Sequence, residues 1–420
     1  MQHRKFDYTD EVLFLKDNDS LCVKLPYSRD TEVLNSPLDR DGVQLKNRIL
    51  IQPIEGFDAL PDGAPSERSA QRYLEFVRGG ASALWIESIS VNHEGRSNPY
   101  QLWITPENVD CFKSFTERLH QCGGNGAPVY LVAQLTHSGR NSNPDGVPKP
   151  VCAFSNPFIP KDTERIITDA EIAALEDDYV SAIVLAERAG FDAVDIRACH
   201  GYLINELFAA FERDGEYGGS FDNRTRMLLD IVDKAHRASA LPIAVRLNMY
   251  DGVPYPYGWG CDKSDVTKTD FSEPLELVRQ LSLRGVKLLN ISSGIGAYSP
   301  HVIRPYDSGG AIPKEHPLEG VARLLDAARQ AKSVAPDSIV VCSGLTWLRE
   351  FAPCVSAGGI NAGWFDVAGF GRQAIAYPDF ANDILNHRTI KTFCATCGGC
   401  TALIKKSGKQ LRCVRRQYNY

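Results

Sequence analysis

Eight short apolar runs, each followed by a longer helical stretch, constrain this chain more than any other feature of its 420 residues. The runs lie at 48–53, 83–87, 129–134, 193–196, 243–248, 286–291, 339–342 and 364–368. They are apolar at consecutive positions, as parallel strands are when structure covers both faces. Amphipathic stretches at 66–79, 169–190, 223–238 and 318–334 fit intervening helices, and Gly190 after Ala189 is a natural helix stop. The repeat predicts an α/β fold, a (β/α)8 TIM barrel. A doubly wound sheet is the alternative. It is weakened because no Gly-x-Gly-x-x-Gly follows any run, and Gly258-Trp-Gly260 sits in a loop rich in Pro, Tyr and Gly. Two connections, 135–168 and 249–271, are long, and both leave strand C-terminal ends, where barrels build their sites.

Outside the repeat, residues 1–33 read as a polar, irregular N-terminal extension, 34–388 as the barrel and 389–420 as a cysteine-rich segment. That segment carries Cys394, Cys397, Cys400 and Cys413 with spacing C-x2-C-x2-C-x12-C. Two-residue gaps let successive thiolates turn onto one centre, so the pattern predicts a metal-binding extension, with an iron–sulfur cluster or a zinc ion as the occupant. Disulfides fit less well, because residues 1–12 show no apolar signal core and the other eight cysteines are scattered. The net charge of −6 is spread without blocks, which argues against a nucleic-acid partner. No apolar run approaches the ~18 residues that span a bilayer. The expectation is a cytoplasmic protein acting on a small molecule, with no membrane partner.

Polar residues cluster where the predicted strands end. Gln134, His137 and Arg140 follow the third, Arg197, His200 and Tyr202 the fourth, and Arg246 and Asn248 end the fifth. Ser292 and Gly294 follow the sixth, Ser343 and Gly344 the seventh, and Gly371 and Arg372 the eighth. Small residues after the last two strands suit a phosphate, since backbone N–H groups can approach its oxygens there. Plain turn glycines are the alternative.

The runs His200-Gly-Tyr-Leu-Ile-Asn205 and Tyr217-Gly-Gly-Ser-Phe-Asp-Asn-Arg224-Thr-Arg226 resemble the signature of the Old Yellow Enzyme family of FMN-dependent NAD(P)H:flavin oxidoreductases. Leu45-Lys-Asn-Arg48, Gln134-Leu-Thr-His-Ser-Gly-Arg140 and Tyr377-Pro-Asp-Phe380 match it too, in order, from about residue 35 to 385. The resemblance implies a barrel holding FMN, with NADH or NADPH as reductant. Pro53 and Ile54 would back the flavin, Ser88 approach its edge, Gln134 bond its pyrimidine and Arg246 stand near N1/O2. Gly344, Gly371 and Arg372 would hold the phosphate, with Gly294 in the same cofactor-binding set. Tyr202 would protonate the substrate, and Arg197 and His200 would bind it. The cysteine spacing narrows the likeness to the branch of 2,4-dienoyl-CoA reductase, enoate reductase and trimethylamine dehydrogenase, which implies a [4Fe–4S] cluster on Cys394, Cys397, Cys400 and Cys413.

The sequence departs from that pattern at three places. Arg197 stands where relatives carry His, which implies either a contact to a polarised or anionic oxygen or a salt bridge to Glu55 or Asp195. Glu55 replaces a Cys or Thr near the flavin, which argues against covalent FMN. The sequence stops at Tyr420 where clustered relatives continue, so electrons would come from NAD(P)H directly or from an electron-donor protein. The leading expectation is an ene-reductase-type oxidoreductase acting on an enone, enoate or enoyl thioester. An amine dehydrogenase or demethylase, and a flavoprotein electron carrier or zinc-stapled binding barrel, are the alternatives. A homo-oligomer is a further expectation.

Overall fold

Alternation hidden inside the apolar runs decides which way each strand faces. In the computed structural model, which describes residues 5–123, 128–309, 311–404 and 411–416, eight parallel strands are β1 (Ile49–Ile51), β2 (Ala83–Trp85), β3 (Tyr130–Thr136), β4 (Ala193–Ala198), β5 (Ile243–Asn248), β6 (Leu288–Ser292), β7 (Ile339–Cys342) and β8 (Val367–Phe370). They pair in chain order, β8 pairs with β1, and β2 pairs with β3, so the sheet closes on itself. Closure rules out the doubly wound alternative. The short strand Ile89–Ser90 continues the path of β2 and pairs again with β3.

Two apolar cores follow from the two-residue period. Leu50, Trp85, Val132, Ala193, Ala244, Leu288, Val341 and Val367 point into the barrel and pack on one another. Their chain neighbours, such as Ile51, Leu131, Val194 and Val245, pack outward against the helices. Climbing each strand towards its C-terminal end, the inward positions turn polar. Gln134 pairs in register with Asp195, and Arg197 with Arg246, which in turn faces Asn290. The floor of the site is therefore a ring of polar side chains above an apolar plug.

An antiparallel hairpin, Leu38–Arg40 with Val43–Leu45, seals the other end. It inserts Leu38, Val43 and Leu45 beneath the inner core, each contributing about 1.5–3 kcal/mol of burial. Its turn is Asp41-Gly42, with φ of 49° and 86°, the left-handed pair that two-residue hairpins favour.

The helices start on side-chain caps. Ser66 caps Glu67–Arg78, Ser220 caps Phe221–Ala238, and Thr168 with Glu171 forms a capping box on Asp169–Arg188. Residues 5–33, the described part of the N-terminal segment 1–33, differ from the irregular extension expected. Asp10 caps a helix, Glu11–Ser20, whose Phe14 is fully buried and stacks on Phe351 with ring centroids 4.4 Å apart. The eighth strand also begins later than expected, because the chain turns at Gly363 before Val367. Among the described residues, no helix is long and apolar enough to cross a membrane.

Candidate active site

At the C-terminal end of the strands lies a cavity of about 430 Å3. Pro53, Ile54, Gln134, Arg197, His200, Tyr202, Arg246, Gly344, Gly371 and Arg372, all expected from the sequence, line it. Two expected residues do not. Ser88 is fully buried beside Gln134. Gly294 is engaged in a turn, with φ of 86° and its N–H donating to the Tyr250 carbonyl at 2.6 Å, while Ile295 and Gly296 reach the wall instead.

The side chains on the wall hold one another in place. Ser88 Oγ donates to Gln134 Oε1 at 2.9 Å, and Gln134 Nε2 donates to Asp195 Oδ2 at 2.6 Å. An amide has two N–H groups and two oxygen lone pairs, so Gln134 keeps one of each for a ligand. Asp195 also accepts from Trp85 Nε1 at 2.7 Å and from the Arg246 backbone N–H at 2.6 Å. Its burial raises its pKa to about 6. Gln52 and Asn290 exchange amide hydrogen bonds at 2.8 and 3.1 Å across the barrel.

Arg197 resolves between the two roles open to it. Its Nη1 donates to Glu55 Oε1 at 2.8 Å and to Ser88 Oγ, and its guanidinium lies 3.5 Å from the centre of the Tyr202 ring. The pair sits on the cavity wall, so Glu55 cancels the fixed charge without removing Arg197 from the site. Arg197 Nε and Glu55 Oε2 remain buried without a partner. His200 and Gly201 have φ of 64° and 76°, a left-handed elbow that reverses the chain after β4. His200 Nε2 lies 2.7 Å from Ser292 Oγ, and burial, with Arg246 nearby, keeps its imidazole neutral. Burial holds the Tyr202 phenol above its ordinary pKa, so it is protonated at neutral pH.

Three cations on the wall lack a carboxylate partner among the described residues. Arg246 is 7% exposed, its Nε has no hydrogen-bond partner, and it makes no ion pair among the described residues. Arg372 has a buried Nη1 without a partner. Arg304, which no motif singled out, is pushed down to about 10 by burial and by Arg372; its only sequence signal is a place in the connection after β6. Of the acids on this wall, Glu55 is paired with Arg197, Glu206 with Arg140, and Asp251 accepts from Asn248 and Trp259. Uncompensated cations, open backbone at Gly371 and a cavity of this size fit a phosphate-bearing aromatic cofactor such as FMN. A Cβ at Gly344, which has φ of 91°, would strike Leu324.

Cys394, Cys397, Cys400 and Cys413 line a separate, small cavity of about 40 Å3. Cys400 and Arg372 belong to both walls. The segment is anchored by Cys394 N–H donating to Gln373 Oε1 at 2.9 Å and Ser308 Oγ donating to the Ala395 carbonyl at 3.0 Å. Among the described residues, no three His, Cys, Asp or Glu side chains are grouped closely enough to hold a metal ion. The four cysteines thus share one cavity wall without forming a ligand group among the described residues.

Comparison with known proteins places the chain beside flavoenzymes. The model of the NADH:flavin oxidoreductase / NADH oxidase family matches residues 34–269. An NADPH dehydrogenase of Halalkalibacterium halodurans is 27% identical over 310 residues, 72% of this chain and 82% of the relative. Among solved structures, morphinone reductase superposes with a TM-score of 0.65 at 22% identity, over 88% of this chain and 92% of that one. A 2-naphthoyl-CoA reductase superposes with a TM-score of 0.71 at 19% identity, over 86% of this chain but 53% of that longer one. These two likenesses are of fold.

Proposed function

This chain belongs to the NADH:flavin oxidoreductase / NADH oxidase family and is an FMN-dependent NAD(P)H oxidoreductase of the Old Yellow Enzyme type, and we propose that it reduces an activated C=C bond. The observation that carries this reading is Tyr202, Arg197 and His200 on the wall of the same cavity as the unpartnered Arg246 and Arg372. FMN, when bound, supplies the redox chemistry, taking a hydride from NAD(P)H and giving one to the acceptor. Pro53 and Ile54 would back its ring, Gln134, its amide fixed by Ser88, would bind the pyrimidine, and Arg246 would supply positive charge beside it. Gly344, Gly371, Arg372 and Arg304 would hold the phosphate.

Arg197 and His200 hold the conjugated oxygen of the acceptor. His200 is neutral and acts by hydrogen bonding, and Arg197 has its charge balanced by Glu55. That balance favours a neutral carbonyl over a carboxylate, so enones fit this site better than enoates. Tyr202 keeps its proton at neutral pH and delivers it to the α-carbon.

We further assign Cys394, Cys397, Cys400 and Cys413 to one [4Fe–4S] cluster, with zinc as the alternative. The support is four cysteines around a cavity that shares Cys400 and Arg372 with the cofactor cavity. The test of the function is anaerobic: protein reduced with NADH or NADPH is mixed with enones and enoates and flavin reoxidation is followed, and oxidised protein is mixed with amines and flavin bleaching is followed. Reoxidation by enones supports the reading. Reaction only with the amines, in the oxidised state, would move it to an amine dehydrogenase.

A further inference from the structure

The two long connections that leave β3 and β5 do more than wall the first cavity. Between them lies a second cavity of about 490 Å3. It shares Phe154, Ala209 and Tyr257 with the first. The rings of Phe154 and Tyr257 lie 6.3 Å apart, tilted at 35°, so the partition between the chambers is made by side chains that can rotate. None of the groups assigned to cofactor or proton transfer lines the second chamber.

Its lining is specific in charge. Ala153, Ile166, Ile167 and Pro256 supply apolar surface. Arg213 is already engaged, donating to Asp169 Oδ1 and to the Ala153 carbonyl, both at 2.7 Å. Glu212 and Asp214 make no ion pair among the described residues and leave the rim negative.

We propose that the second cavity receives an apolar arm of the substrate, uncharged or cationic, whose reducible end lies in the first cavity. This rests on reading the first cavity as the site of reduction. Continuity through a side-chain partition lets one molecule occupy both chambers. The rim decides which molecule: a pyrophosphate or carboxylate tail would meet Glu212 and Asp214, and among the described lining residues the one cation, Arg213, is already engaged. The nucleotide tail of an acyl thioester or of NADPH is therefore turned away from this chamber. The substrate class is an enone with a hydrophobic, non-anionic extension.

The test uses FMN-loaded protein and saturated ketones, which cannot be reduced, so that binding is read by calorimetry apart from turnover. The series runs from a bare cyclic ketone through alkyl-tailed ketones to the same tails ending in carboxylate. Each methylene is expected to tighten binding about three- to four-fold until the chamber is full, and the carboxylate tip to reverse that gain. Ile166→Trp narrows the second cavity and touches none of the residues that line the first. It should reduce the gain from the tail and leave the bare ketone unchanged. Glu212→Lys with Asp214→Lys should recover the carboxylate-tipped ligand. Binding independent of tail length, or equal weakening of bare and tailed ketones by Ile166→Trp, would overturn the proposal. If tailed ketones bind as expected but the matching enones are not reduced, the reduction reading fails and the two-chamber site stands.

Discussion

Replacing Arg246 by methionine should move two quantities in opposite directions. Arg246 is buried, lies opposite Arg197 across the β4–β5 ladder, and has no carboxylate in ion-pair range among the described residues. Without a ligand it is a desolvated charge beside a like charge, and burial already pushes its pKa down. Removing it from FMN-free protein should stabilise the fold. The full penalty of an unpaired buried ion is several kcal/mol, but this side chain opens onto a cavity, so about 1–2 kcal/mol is the realistic gain. At roughly 2 cal/mol/K per residue, that raises Tm by only about 1–2 °C. Binding moves the other way. A charge-assisted hydrogen bond to the flavin ring is worth about 1.5–3 kcal/mol, so Kd for FMN should rise about 10- to 100-fold. Riboflavin should weaken by the same factor, because the contact is to the ring and not the phosphate. Thermal melts of stripped protein and fluorescence titrations with both flavins measure all three. A lower Tm with an unchanged Kd would refute the reasoning and make Arg246 a packing residue.

Three further outcomes are expected. Tyr202→Phe should slow flavin reoxidation by enones about 10²–10⁴-fold in stopped flow while leaving reduction by NAD(P)H intact, since only the former needs the proton; equal effects on both would make Tyr202 structural. Asp195 has its pKa raised from 3.8 to about 6, so the folded state holds its proton more tightly than the unfolded chain, and the group's contribution is greatest below pH 4 and is lost as pH rises to about 6; in Asp195→Asn, the downward slope of stability over that window should flatten relative to wild type in denaturant titrations. Cys397→Ser should lower iron and acid-labile sulfide in anaerobically purified protein, whereas stoichiometric zinc without iron in the wild type would replace the cluster assignment.

The barrel was legible because buried parallel strands are apolar on both faces, and eight such runs with helices between them admit few closures. The polar strand ends were legible for the same reason: a charged residue finishing an apolar run, such as Arg197 or Arg246, has little structural purpose there. What escaped depended on partners far along the chain. The sealing hairpin has strands of three residues, too short for periodicity, although Asp41-Gly42 was a readable turn signal. Arg304 matters only because the fold brings it to Arg372. The helix Glu11–Ser20 is polar in composition, and it forms because Asp10 caps it and Phe14 finds Phe351. Gly294, expected among the cofactor-binding residues, has a φ of 86° and serves a turn against Ile303. For Arg197 the salt bridge is to Glu55, and that ion pair is itself part of the cavity wall.

The hairpin from Leu38 to Leu45 has a kinetic consequence. With Leu38, Val43 and Leu45 driven into one end of the barrel, traffic to the cofactor cavity passes through the opposite end, the mouth at the C-terminal ends of the strands. Reductant and acceptor must take turns at that doorway. Their initial-rate plots should be parallel lines in double-reciprocal form, and each should inhibit competitively against the other when present in excess.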